Sequence, residues 1–178
     1  MRKISFVPRL ASALGLMLAV PSATALAQSL ECDGPAPVGC YEATVTGPSG
    51  ETAQMSGFAQ SFGSHAEDAW QARLMTPGGE SGITLMHGGA GLPSTGEYLI
   101  EDFGAHAGKP PAGGFLAMGT AYLDASAASG FQSVTGTVVI TASSSSWVEG
   151  TFTCEGRDPQ SGATVTVEGR FKAKHQGM

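Results

Sequence analysis

The stretch that decides the fold is SVTGTVVITASSSSWVEGTFTCEG, residues 133–156. Apolar and polar side chains alternate on both sides of four consecutive serines at 143–146. Such alternation is typical of β-strands that bury one face and expose the other. The serines therefore predict a polar connection between two strands, while Gly136 and Gly150 predict inward positions where a bulge forms or a neighbouring ring packs closely. The side chains predicted to line the core are Val134, Val138, Ile140, Ala142, Val148, Phe152 and Cys154.

The same pattern continues toward the C-terminus. In ATVTVEGRFKAKH, residues 163–175, apolar residues and one glycine occupy the odd positions up to 173, and Thr or charged residues occupy the even ones. Pro159 and Gly162 mark the turn that precedes this segment. Residues 131–175 thus predict a three-stranded meander whose outer face is polar. The lysines at 172 and 174 suggest that its last strand is an edge protected by charge.

Short alternating segments also fill the region before residue 131, and no long segment has helical periodicity. In CYEATVTG the inward side chains are predicted to be Tyr41, Ala43 and Val45, and in WQARLM they are Trp70, Ala72 and Leu74. The strand number and spacing predict an all-β fold, an antiparallel β-sandwich of about nine or ten strands. A lipocalin-like closed barrel is the alternative, although Gly39 is followed by Cys40-Tyr41 and not by the Gly-x-Trp of lipocalins.

The N-terminus predicts an export signal. Three basic residues lie among the first nine, an apolar run follows at 10–20, and Ala25 and Ala27 form a small-x-small cleavage pattern. We therefore expect a signal peptide at 1–27 and one domain at 28–178, in a secreted or periplasmic location. The apolar run is shorter than the roughly 20 residues that a transmembrane helix needs, so no membrane span is expected after cleavage.

The charge of the chain restricts its partners. The chain has 9 Lys and Arg against 15 Asp and Glu, a net charge of −6. The predicted signal peptide removes three of the basic residues and none of the acidic ones, which leaves −9. A chain this acidic has no basic patch that could follow a phosphate backbone, so nucleic acid is excluded. A protein, a glycan or a small molecule remains as the expected partner, and the oligomeric state stays open.

Three cysteines allow three disulfide pairings and leave one thiol over. Pairing of Cys32 with Cys40 would close the loop CDGPAPVGC, whereas pairing of Cys40 with Cys154 would join the first strand to a late one. We favour Cys32–Cys40, because Cys154 lies on an apolar strand face where a small buried thiol is common.

No segment carries a recognisable catalytic motif, so no catalytic, cofactor-binding or metal-binding residue is assigned. The histidines at 65, 87, 106 and 175 lack metal-ligand spacing, although folding could unite His65 with Glu67 and Asp68. GGESG, residues 78–82, predicts a tight turn and not a nucleophile elbow, which requires Gly-x-Ser-x-Gly. Alternation places Glu101 and Asp102 on opposite strand faces, and calcium bound at acidic loops is the one cofactor left open.

Three segments of the C-terminal third resemble exported all-β domains of bacterial envelopes to which no activity is assigned. They are FQSVTGTVVIT at 131–141, VEGTFT at 148–153 and SGATVTVEGRF at 161–171. The resemblance covers about a quarter of the chain and consists of strand and turn residues. It implies a bacterial envelope sandwich and no catalytic residues.

Three hypotheses about function follow. The first is a non-catalytic binding or envelope-associated module with Trp147, on the wet strand face, as its ligand contact. The second is a barrel-like carrier of a small apolar ligand, with a cavity lined by methionines. The third is a hydrolase whose site is assembled from scattered His and acidic residues. The methionines considered for the carrier cavity are Met55, Met75, Met86 and Met118.

Overall fold

The computed structural model describes residues 30–32, 38–64, 69–89, 91–123 and 128–176. These contain nine strands and no helix. The predicted signal peptide and its cleavage site lie outside the described residues. The strands are β1 (Gly39–Thr46), β2 (Thr52–Ser64), β3 (Ala69–Met75), β4 (Gly82–Gly88), β5 (Gly96–Ile100), β6 (Phe115–Tyr122), β7 (Ala128–Ser143), β8 (Trp147–Arg157) and β9 (Thr164–His175).

All nine strands belong to one closed sheet with the order β1-β2-β3-β4-β6-β5-β7-β8-β9. The ends of the sheet meet because β1 pairs with β2 on one side and with β9 on the other, from Cys40↔Lys172 to Thr46↔Thr166. The all-β class, the predominantly antiparallel pairing and the strand number are confirmed. The arrangement is the closed barrel that the sequence left as the alternative to two separate sheets.

Closure also corrects the prediction for the last strand. We expected the lysines at 172 and 174 to protect a free edge, but β9 is hydrogen-bonded to β8 along its whole length and to β1 along most of it. The prediction was wrong because pairing between the first and last strands is non-local, and no local pattern reports it. Lys172 instead forms an ion pair with Glu149 on the neighbouring strand, at 2.9 Å.

The predicted meander is present as β7, β8 and β9, but β7 contains two irregularities. The register with β8 shifts between Ser133 and Thr135 and again between Ile140 and Ala142. Because each extra residue turns the following side chains to the other face, Val134 is only half-buried and Ala142 is exposed. These two inward assignments were wrong, whereas Val138, Ile140, Val148, Phe152 and Cys154 are buried as predicted.

Glycine–phenylalanine pairs fill the barrel interior. Gly150 on β8 lies opposite Phe171 on β9, and Phe152 lies opposite Gly169. A Cβ built on Gly150 would lie 3.2 Å from the Phe171 ring, and one on Gly169 would lie 2.8 Å from the Phe152 ring. Each glycine makes room for the ring of the neighbouring strand, as predicted for Gly150, and for a still closer backbone carbonyl, Val139 O at 2.5 Å from a Cβ on Gly150 and Glu42 O at 2.6 Å from one on Gly169. The sequence Gly-x-Phe thus occurs once in each of these two adjacent strands, and the two copies pack against each other.

The cysteines behave as expected. Cys32 and Cys40 form a disulfide, which ties the segment before β1 to the start of that strand. Cys154 is a free, buried thiol in the core. The described residues contain no helix that is long and apolar enough to cross a membrane.

Candidate ligand site at one end of the barrel

An aromatic cluster of Trp70, His87, Tyr98 and Phe115 occupies the end of the barrel where β4 finishes and β6 begins. Alternation brings these side chains together, because Trp70, His87 and Phe115 are successive partners across β3, β4 and β6. The His87 ring lies 4.7 Å from the Phe115 ring and 5.2 Å from the Tyr98 ring, measured between centroids. Phe115 also contacts Trp70 edge-on at 6.2 Å. Trp70 and Phe115 are fully buried, so His87 and Tyr98 form the outer side of the cluster.

Among the described residues, one ring nitrogen of His87 has a hydrogen-bond partner and the other has none. Nδ1 lies 3.0 Å from the carbonyl oxygen of Gly114. A carbonyl only accepts, so Nδ1 carries the proton and donates, and Nε2 of the neutral ring is left as an acceptor. Nε2 has no hydrogen-bond partner among the described residues. Burial, with 8% of the residue exposed, lowers the pKa of His87, and the bond to Gly114 opposes this in part. The neutral ring is therefore the favoured form.

Gly89 lies next to Nε2 without crowding it. Gly89 follows β4 with a φ of 142°, and a Cβ built there would have Nε2, 3.8 Å away, as its nearest neighbour. No other atom of the described residues, apart from chain neighbours, lies within 4 Å of that position. The edge of His87 that bears the free lone pair thus faces the backbone position of Gly89, while Tyr98 is the more exposed member of the aromatic cluster.

The loop between β5 and β6, residues 101–114, holds His87 in place. Gly88 N donates to Gly114 O at 3.2 Å, and Gly113 N donates to Gly88 O at 3.0 Å. A side chain at Gly88 would collide with the carbonyls of Pro110 and Pro111, so only glycine lets this loop pack against the end of β4. The glycine that follows His87 in the sequence therefore positions the carbonyl that fixes its ring.

The base of this loop is anchored by Ser133, which is buried. Its hydroxyl donates to Glu101 O at 2.7 Å and accepts from Ala117 N at 3.1 Å. Next to this anchor, His106 Nε2 and Glu101 Oε2 form a 2.8 Å pair at the surface. The other oxygen of Glu101 would lie 3.0 Å from a Cβ on Gly114, so this pair borders the residue that holds His87.

The polar groups near the aromatic cluster differ in whether they have a hydrogen-bond partner. Tyr98 Oη donates to Ser94 O at 2.8 Å and lies 2.9 Å from Ser94 Oγ, so its hydroxyl is already engaged. Trp70 Nε1 is a buried donor without a partner among the described residues. In that part of the chain, no group of three or more His, Cys, Asp or Glu is placed to hold a metal ion. What remains is one acceptor, Nε2, at the edge of an aromatic wall.

The residues singled out from the sequence lie elsewhere. Trp147 is half-buried on the outer face of β8, and the Lys172 ammonium lies 5.4 Å from the centre of its ring. One face of the indole is thus covered by the chain itself. Of the four methionines, Met55 and Met86 are buried, while Met75 and Met118 are exposed on the outer wall. The methionines therefore do not line a common interior cavity.

Among the described residues, the scattered polar residues form separate local contacts. Glu101 and Asp102 follow the end of β5 and lie outside any strand, so the predicted alternation does not apply to them. Glu101 pairs with His106, while Asp102 Oδ1 accepts from Ala105 N. Ser61 Oγ lies 3.3 Å from His175 Nδ1, but Ser61 is fully buried and out of reach of a substrate. GGESG is the β3–β4 turn, closed by bonds between Thr76 and Ser81. His65, Glu67, Asp68 and Asp124 lie outside the described residues.

The sequence pattern assigned no role to His87, because the four histidines lack metal-ligand spacing. The available signal was its place in GITLMHG, where Ile83, Leu85 and His87 share the inward face of β4. No family model matches this chain, and neither a characterised protein nor a solved structure is significantly similar to it.

Proposed function

We propose that this protein is an exported, non-catalytic binding barrel that holds a small planar apolar molecule at the aromatic cluster. The observation that carries the proposal is His87 Nε2, an acceptor without a partner among the described residues, at the edge of a wall of aromatic rings. Nε2 is not one of the buried side-chain atoms that lack a partner, so a ligand donor can reach it and replace solvent there. A ligand that supplies the donor gains both this hydrogen bond and the contact with the rings.

The geometry also indicates the chemical class of the ligand. Because Nδ1 already donates to Gly114, the accessible nitrogen accepts and requires an O–H or N–H group. The ring contacts around His87 favour a flat, apolar body, which can stack on or meet the edges of aromatic side chains. Phenols and N–H heteroaromatic compounds combine these two properties. The barrel interior is filled with side chains, so the proposed ligand binds at the end of the barrel and not in an internal cavity.

The proposed export rests on the N-terminal sequence pattern. The Cys32–Cys40 disulfide is compatible with an oxidising compartment, such as the periplasm or the exterior of the cell. We place the protein in such a compartment, where a binding protein would keep small apolar molecules in aqueous solution. The disulfide lies at the start of β1 and therefore restrains the segment that precedes this strand. It is not part of the aromatic cluster.

A matched pair of ligands tests the proposal. 2-Naphthol and 2-methoxynaphthalene have the same ring system, but only the first can donate to Nε2. We expect 2-naphthol to bind more tightly by about 2- to 10-fold, the equivalent of one net hydrogen bond of about 0.5–1.5 kcal/mol. Binding is followed by two-dimensional ¹H–¹⁵N NMR, which reports the His87 ring nitrogens and the Trp70 indole directly. Trp147→Phe leaves Trp70 as the one indole signal, because the chain contains 2 tryptophans.

Variants at His87 separate the hydrogen bond from simple stacking. His87→Phe keeps an aromatic ring but removes the acceptor, so the preference for 2-naphthol should disappear while both compounds still bind. His175→Gln, at a histidine on the last strand, should keep the preference. Failure of both compounds to perturb the His87 and Trp70 signals would contradict the proposed function, and so would an unchanged preference in His87→Phe.

A further inference from the structure

The outer wall of the barrel carries an apolar strip formed by Phe58, Met75, Met118 and Tyr122. Six large hydrophobic residues are exposed among the described residues, and these four belong to that set, with 48%, 42%, 39% and 45% of their surface accessible. Large apolar side chains gathered on one surface of a folded protein commonly mark an interface. The wall formed by β8, β9 and β1 differs, since its outer side chains are mainly threonines and ion pairs such as Arg170–Glu42.

Strand register shows how the apolar strip is built. Phe58, Met75, Gly82 and Thr120 form one row across β2, β3, β4 and β6. Met118 and Tyr122 lie on either side of Thr120, two residues away along β6, and so face outward with it. Gly82 leaves a groove of about 300 Å³ between β3 and β6, so another surface can approach the sheet closely there.

Two opposite charges flank the row on its two sides. Arg73 lies two residues before Met75, on the Met118 side, and Glu80 lies in the β3–β4 turn, on the Tyr122 side. Both line the groove. The Arg73 guanidinium lies over the Phe62 ring at 4.8 Å, and neither charge has an ion-pair partner among the described residues. The surface is thus locally neutral in a chain whose net charge is −6.

We propose that a second copy of this chain covers the apolar strip, related by a two-fold axis that runs along the row. Rotation about this axis leaves positions along the row unchanged and exchanges its two sides. Phe58 and Met75 then meet their own counterparts, while Arg73 of one copy faces Glu80 of the other. Met118 faces Tyr122 of the other copy in the same way, a contact between a thioether and an aromatic ring that is favourable. The surface is therefore complementary to itself, as a two-fold interface requires.

Charge reversal tests this arrangement by sedimentation velocity over a range of protein concentrations. The unaltered protein should show a reversible monomer–dimer equilibrium. Arg73→Glu or Glu80→Arg alone should raise the dimer dissociation constant at least about tenfold, because each places like charges opposite one another. The double variant Arg73→Glu/Glu80→Arg restores opposite charges across the axis and should recover most of the affinity. Recovery in the double variant is specific to this pairing, since general apolar adhesion would not depend on the sign of the charges.

Two further variants complete the test. Phe58→Ser should abolish the dimer, whereas Leu99→Ser, at an exposed apolar residue outside the apolar strip, should leave it unchanged. A monomer at all concentrations up to about 1 mM, a binding free energy weaker than about 4 kcal/mol, would overturn the proposal. A double charge variant no better than either single one would also overturn it. Co-flotation of a monomeric protein with neutral phosphatidylcholine vesicles would assign the apolar strip to a lipid surface and reject the dimer.

Discussion

At the scale of single residues, His87 couples the stability of the barrel to pH. Burial lowers its pKa below the ordinary value of 6.5, so on acidification the unfolded chain binds a proton before the folded one does. Stability linked to this residue is fully present above about pH 6.5 and is lost as the pH falls through the native pKa. We expect the urea midpoint to fall between about pH 7.5 and pH 5, and to fall less in His87→Gln. Equal decreases in both proteins would contradict a neutral, buried His87.

Cys154 is the second residue with a specific chemical expectation. Burial raises the pKa of its thiol to about 12, so almost no reactive thiolate exists at neutral or mildly alkaline pH. The folded protein should not react with Ellman's reagent over minutes, and one thiol per chain should appear when the protein is denatured without a reducing agent. Rapid reaction of the folded protein would show that the core opens around β8. Reaction of more than one thiol in denaturant would argue against the Cys32–Cys40 bond.

At the scale of strands, the pairing of glycines with rings explains how the core is filled. A Cβ on Gly156 would lie 2.9 Å from the Phe131 ring, with no other group among its three nearest neighbours. Gly156→Ala should therefore destabilise the protein by about 1–3 kcal/mol through overpacking. In a Phe131→Leu background, Gly156→Ala should lower the free energy of unfolding by less. Chemical denaturation of the unaltered protein, the two single variants and the double variant gives the coupling free energy between the two positions.

Gly130, which precedes Phe131 on β7, is the matched control for the Gly156→Ala substitution. A Cβ there would meet nothing closer than 4.0 Å. Gly130→Ala should be neutral or stabilise the protein by about 0.4–1 kcal/mol, because alanine restricts the unfolded chain. A cost for Gly156→Ala that is the same in the unaltered protein and in the Phe131→Leu background would show that the ring is not its cause.

The individual strands also show which structural features the sequence predicts and which it does not. Alternation in β8 and β9 identified their buried side chains correctly, because each residue of a regular strand faces opposite to the one before it. The bulges of β7 interrupt this rule, so Val134 and Ala142 were assigned to the wrong face. The sequence did not identify His87 as a site residue, because its hydrogen-bond partner Gly114 lies 27 residues away, in the loop between β5 and β6. The Cys32–Cys40 disulfide was predictable, because Cys154 lies on an apolar strand face and the other two cysteines remain to pair.

At the scale of the whole molecule, closure of the sheet between β1 and β9 distinguishes a barrel from a sandwich. Seven residues of β1 pair with β9, from Cys40 to Thr46, and Arg170 binds Glu42 across this seam at 2.8 Å. Amides in the seam are thus hydrogen-bonded between two strands and should exchange as slowly as those of β7 and β8, since both require opening of the core. β5 pairs with β7 along its length but meets β6 only at Ile100↔Phe115, so its amides should exchange faster. Hydrogen exchange measured by mass spectrometry on peptides from β1, β5, β8 and β9 gives this order directly. Fast exchange along both β1 and β9 would show that the seam is open in solution and that the strands form a sandwich with two free edges.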